Sequence, residues 1–244
     1  MLSPYFCPHK IWPYNHVPTY MMKLSWWKIL SIVCLLYAVI GGLLLPVPAK
    51  PIVNESIRNL YYHVPMWFSM MVLFITSVVY AIRYLRNGKL VEDIYAHRFA
   101  QTGMVLGLLG ITTGAMWATY TWGAPWSNDI KQILAAVALL IYAAYFILRG
   151  SITDIDKRAR ISAVYNIFAC AMLFPTLFII PRLYESLHPG GEGNPAIGQG
   201  DIDPLMRLVF WPAVLGWTLL GVWITTLHIR LQKLADKNIL NESK

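Results

Sequence analysis

The chain has 244 residues, 57% of them hydrophobic and only 13% charged, with a formal net charge of +8. Soluble domains carry roughly a quarter charged residues, so the composition excludes an ordinary water-soluble domain and indicates a membrane protein. The positive balance reads either as a nucleic-acid footprint or as a membrane-insertion signal, and the positions of the basic residues select the second.

Residues 1–22 are polar and aromatic, and Pro4, Pro8, Pro13 and Pro18 deny them a helix. They lack the basic-then-apolar order of a signal peptide. We expect a disordered stretch or an extension, with Met21-Met22-Lys23 as a natural start. Apolar runs of about 20 residues, the length that crosses a bilayer, then follow at 26–45, 61–82, 99–120, 132–148, 161–181 and 208–228. Residues 23–244 therefore read as one all-α polytopic membrane domain of six transmembrane helices, the first serving as an uncleaved signal anchor. In the third run Gly103, Gly107, Gly110 and Gly114 fall on one helical face, which suits close helix packing. In the fifth, Pro175 predicts a kink, and Asn166 predicts a hydrogen bond inside the bundle.

None of the runs holds an acidic or basic residue in its interior, which counts against an ion-coupled transporter. The chain has no phosphate-binding Gly-x-x-x-x-Gly-Lys-Ser/Thr, so energy must come from a partner. Cys7, Cys34 and Cys170 form no Cys-x-x-Cys, which leaves a zinc site, a redox relay and covalent haem attachment unsupported.

Counted by connection, fifteen Lys and Arg fall on one side of the predicted bundle. They include Lys23, Lys28, Arg83, Arg86, Lys89, Arg98, Arg149, Lys157, Arg158, Arg160, Arg230 and Lys233, whereas Lys50, Arg58, Lys131, Arg182 and Arg207 fall on the other. Basic residues stay in the cytoplasm, so both termini are expected inside. The outward connections are then 46–60, 121–131 and 182–207.

The loop at 121–131 contains Trp122-Gly123-Ala124-Pro125-Trp126-Ser127-Asn128-Asp129. Tryptophans line every membrane interface, but Gly123-Ala124-Pro125 also signals a turn, and flat rings there suit stacking against a planar apolar ligand. If the segment is helical, Trp122 and Trp126 share a face. Asp129 is either a cap for the helix starting near Ile130 or a polar contact that orients a ligand; Asn would retain the cap. His63 lies a turn inside the second span, and His188 lies in the loop Glu185-Ser186-Leu187-His188-Pro189-Gly190. Singly, each reads as an interface or loop histidine. Paired beside an aromatic shelf, they fit axial ligation of haem iron. Arg58, Lys131, Arg182 and Arg207 are candidate partners for haem propionates. His97 and His228 fall on the inner side.

At these residues the chain resembles the CcmC family of haem-handling proteins in cytochrome c maturation. The family signature runs Trp-Gly-x-Trp-Trp-x-Trp-Asp-x-Arg. Trp122, Gly123, Trp126 and Asp129 match it, Pro125 and Asn128 replace two tryptophans, and Lys131 replaces the arginine. His63-Val64-Pro65 and Leu187-His188 match the settings of the family's two external histidines, and the six-span pattern covers nearly the whole chain from about residue 24.

The resemblance implies that His63 and His188 ligate haem b non-covalently and transiently, while Trp122, Gly123, Trp126 and Asp129 form the platform. It further implies a multi-pass protein of the bacterial inner membrane that presents haem to a periplasmic CcmE-like chaperone. CcmA/CcmB-like transporter subunits and a small CcmD-like subunit would work beside it, with membrane lipids around it and no nucleic-acid partner. On that reading the protein binds and transfers haem and is not itself an enzyme. A haem lyase or cytochrome c synthase subunit of CcsA type is the alternative, and a quinone- or lipid-binding scaffold is a third possibility.

Overall fold

The computed structural model describes residues 25–49, 53–188 and 202–242, with side chains to residue 235. The expected N-terminal extension and the glycine-rich part of the 182–207 loop lie outside the described residues. Every element among those residues is helical, and six helices are long and apolar enough to cross a membrane. They are α1 (Trp26–Leu44), α2 (Leu60–Asn87), α3 (Leu90–Trp122), α4 (Ile130–Ser151), α5 (Ile155–Phe174) and α6 (Pro204–Glu242).

Their boundaries follow local chemistry. Helix α1 stops at Leu45, before Pro46 and Pro48, which cannot continue a helix. Only Gly88 and Lys89 separate α2 from α3, and Gly88 takes the left-handed C-cap conformation at φ +67°. Asp129 and Asp154 cap α4 and α5, accepting from the Lys131 and Lys157 amides respectively. At Pro175, α5 gives way to a π-helical turn (Pro175–Ile179) and then a 3₁₀ turn (Ile180–Arg182), so the expected kink takes the form of a change in helix type. Asn166 makes its expected bonds within the bundle, donating to Ser77 Oγ at 2.7 Å and accepting from the Tyr142 hydroxyl.

The α3 glycines pack against α2 in antiparallel register. A Cβ added to Gly114, Gly110, Gly107 or Gly103 would strike His63, Trp67, Met70 or Phe74 respectively, all within 3 Å. Each step along α3 is matched by an equal step back along α2, so four bulky side chains enter a groove that only glycine leaves open. Below it Phe74 stacks on Tyr142 of α4 at 3.5 Å between ring centres, which ties α4 to the same pair. The outward surface stays apolar: Leu44, Leu140 and Ile147 are largely exposed, as lipid-facing side chains should be.

The helices run past the apolar runs and so take in charged residues that lie outside those runs. Helix α3 begins at Leu90 rather than 99 and α4 continues to Ser151, which buries Glu92, Asp93 and Arg149 near one end of the bundle. Arg149 binds Asp93 through two hydrogen bonds of 2.7 and 2.6 Å. Such a fork satisfies both charges and makes their burial tolerable. Lys28 of α1 is buried as well, against the rings of Trp27 and Trp223.

Candidate functional site

Alternation of the helices gathers one set of ends together: the end of α1, the start of α2, the end of α3, the start of α4, the turn after α5 and the start of α6. Every singled-out site residue lies there.

His63 is on the first turn of α2, half-buried against the upper end of the glycine groove. Its ring meets the Trp67 and Trp117 rings edge-on, with centres 6.3 and 6.0 Å away. Its Nδ1 lies 3.1 Å from Thr113 Oγ1 on α3. Trp117 is held in turn by a hydrogen bond from Nε1 to Ser56 Oγ, in the 3₁₀ turn Asn54–Asn59 that precedes α2.

The tryptophan segment beyond Trp122 is not helical, so the condition under which Trp122 and Trp126 would share a helical face is not met. Trp122 is the last residue of α3, and Gly123 ends that helix in the left-handed conformation at φ +81°, which glycine accepts without strain. The chain then turns back to Asp129. Asn128 sits at φ +56° and its carbonyl Oδ1 accepts from Trp126 Nε1 at 3.0 Å, so an asparagine fixes a more exposed Trp126. Gln132 closes the segment from α4, accepting from Ser127.

Asp129 joins the parts. Oδ1 accepts from the Lys131 amide at 2.9 Å, from Ser186 Oγ at 3.1 Å and from His188 Nδ1 at 2.9 Å, while Oδ2 accepts from the Leu187 amide at 2.7 Å. Of the alternatives open in the sequence the cap is present, and the same carboxylate also holds His188. Burial alone would raise its pKa. The bonds from His188, Leu187 and Lys131 outweigh that and hold the carboxyl well below the usual carboxylate range. Asp129 is buried, so its bonds are shielded from water.

His188 is thereby pinned over the end of α3, its ring centre 4.9 Å from that of Trp122 at 62°. The structure brings His63 beside Trp117, and His188 beside Trp122 and Asp129, at one end of the bundle from three stretches distant in sequence. Thr113, Ser56 and Ser186 were not marked by the sequence. Their signal is a hydroxyl adjacent to a motif, which is too common to single out.

The cationic candidates differ. Arg58 binds the Gly42 and Leu45 carbonyls with Nη1 and Glu55 with Nε, so it closes the C-terminus of α1. Arg207 is half-buried and donates from Nε to the Ile202 carbonyl. Arg182 is exposed at the end of the turn after α5, and Lys131 sits in the first turn of α4. His97 and His228 lie toward the opposite end, His97 against Tyr145 and Phe146 and His228 exposed on α6.

As a haem site the donor set fits. In each neutral imidazole, an Nδ1 proton pointing to Asp129 or Thr113 leaves Nε2 as the basic nitrogen.

Comparison with known proteins gives the family. Residues 12–242 match the family described as Heme exporter protein C. The chain is 25% identical over 207 residues to Heme exporter protein C of Escherichia coli strain K12, covering 85% of this chain and 82% of that protein. It is 24% identical over 200 residues to Heme exporter protein C of Paracoccus denitrificans, covering 78% and 79% respectively. A shorter stretch of 79 residues is 35% identical to the cytochrome c biogenesis protein CcsA of Pelargonium hortorum, 32% of this chain and 25% of that one.

Proposed function

The chain belongs to the Heme exporter protein C family, and from that membership we propose that it holds haem between His63 and His188 and passes it to an acceptor during cytochrome c maturation. Membership carries the coarser part, a multi-pass membrane protein that handles haem. The finer part is our reading: non-covalent haem b, ligated by Nε2 of both histidines, at the periplasmic face of a bacterial inner membrane. The acceptor is a periplasmic chaperone of CcmE type, with CcmA/CcmB-like and CcmD-like subunits alongside.

The observation that carries this reading is the anchoring of His188. A loop 59 residues along the chain from Asp129 is tied to it by three hydrogen bonds, and these place an imidazole beside Trp122. A histidine needed only for loop solubility has no use for a buried carboxylate. Trp117 sets an apolar ring against His63 and Trp122 one against His188, and the more exposed Trp126 is available to an incoming acceptor. Among the cations, Arg182 is the best-supported partner for a propionate because it is exposed at this end, while Arg58 is occupied at α1.

The test is the optical spectrum of purified protein loaded with haem. His63→Ala and His188→Ala should each shift the spectrum or lower occupancy, while His97→Ala and His228→Ala leave it as wild type. A spectrum unmoved by both site substitutions overturns the assignment. The second reading, a CcsA-type haem lyase subunit, rests on the 79-residue match. Reconstitution with apocytochrome alone separates the two, since a lyase would form covalent cytochrome and a transfer protein would not.

A further inference from the structure

We propose that Thr113 is a positioning residue that fixes the tautomer of His63, so that the Nε2 lone pair is the one offered to iron. This rests on the assignment of His63 as a haem ligand and deepens it.

A threonine hydroxyl has one proton and two lone pairs. In α3, Thr113 Oγ1 lies 2.8 Å from the Leu109 carbonyl and 3.1 Å from the Gly110 carbonyl, and both groups can only accept. In the proposed arrangement the hydroxyl proton goes to the nearer carbonyl, that of Leu109. Oxygen lone pair then faces His63 Nδ1 at 3.1 Å, and Nδ1 is the donor. A neutral imidazole has only one such proton, and placing it on Nδ1 leaves Nε2 bare.

The ring has little freedom to turn away. A Cβ on Gly114, the next residue of α3, would lie 2.7 Å from His63 Cε1, so the imidazole rests against bare helix. Trp67 and Trp117 both stand edge-on to it. Thr113 thus does for His63 what Asp129 does for His188. The difference is that a neutral hydroxyl replaces a carboxylate, so the two imidazoles are unequal donors.

The test uses the full-length protein in detergent. Thr113→Val keeps the shape and removes the acceptor; it should weaken haem binding by about tenfold or more, the usual effect of losing a partner behind a metal ligand, and shift the spectrum. Thr113→Ser returns the hydroxyl and should restore both. In haem-free protein, ¹⁵N imidazole NMR should show the His63 signal, identified by its loss in His63→Ala, protonated at Nδ1. This holds the proposal to account even if Thr113→Val fails to fold. Protonation at Nε2 overturns it, as does a Thr113→Val protein with wild-type affinity and spectrum, or a Thr113→Ser protein as impaired as the valine. If His63→Ala itself leaves the haem spectrum unchanged, the ligand assignment fails and takes this proposal with it. A shifted His63→Ala with an unshifted Thr113→Val removes Thr113 alone.

Discussion

Asp129 accepts from four donors with two oxygens, so the effect of replacing it depends on which oxygen becomes nitrogen. From sequence, asparagine looks harmless because it still caps a helix. In the structure an asparagine that keeps its oxygen on the Lys131 amide, as the cap requires, must turn its NH₂ toward the Leu187 amide, setting donor against donor. Asp129→Asn should therefore keep α4 capped yet release the His188 loop. A hydrogen bond to a charged group contributes about 1.5–3 kcal/mol, and tenfold in exchange corresponds to about 1.4 kcal/mol. Hydrogen exchange at the Leu187 amide should accordingly accelerate by about tenfold or more, with little change at the start of α4. Equal protection in both proteins would show that the loop is held by something else. The sequence made Asp129 and His188 visible separately, through a capping position and a Leu-His pair. It could not join them, because their contact spans 59 residues and is supported by Ser186, a residue type at home in any loop.

The glycine face of α3 was legible as a packing face from its spacing alone, but its partner was not. Nothing in a run of glycines names the neighbouring helix, and the register against His63, Trp67, Met70 and Phe74 emerges only when α2 is laid beside it. Helix ends were misjudged for a related reason. Apolar windows mark where lipid is, whereas caps and hydrogen bonds mark where helices end, so Asp93 and Arg149 entered helices once they could pair. The register makes a quantitative contrast. A Cβ at Gly110 would sit 2.8 Å from the Trp67 ring, whereas one at Gly150 of α4 meets nothing within 4 Å. Overpacking a rigid ring costs about 1–3 kcal/mol, and relieving a helical glycine gains up to about 1 kcal/mol. Gly110→Ala should lower the thermal midpoint of the detergent-solubilised protein, and Gly150→Ala should leave it equal or raise it. A stable Gly110→Ala protein would mean that α2 and α3 are not packed in this register.

Six membrane-capable helices in alternation divide the molecule into two ends, and charge and chemistry divide with them. His63, Trp122, Asp129 and His188 lie at one end with Arg58, Lys131, Arg182 and Arg207. Lys28, Arg83, Arg98, Arg149, Lys157, Arg158 and Arg160 lie at the other. Fifteen of the twenty basic residues belong to that second side in the sequence count. Lys and Arg in short connections set orientation by resisting translocation, so the histidine end should face outward and both termini inward. Each helix reverses direction, so one measured position fixes all the others. A phosphatase reporter, active only outside the cytoplasm, should therefore be silent when fused after Lys244 and active when inserted between Tyr184 and Glu185. The opposite pattern would place His63 and His188 on the cytoplasmic side. Haem held there would have no direct path to an acceptor outside the membrane, and the transfer reading would have to give way to one in which the site collects haem from the cytoplasm.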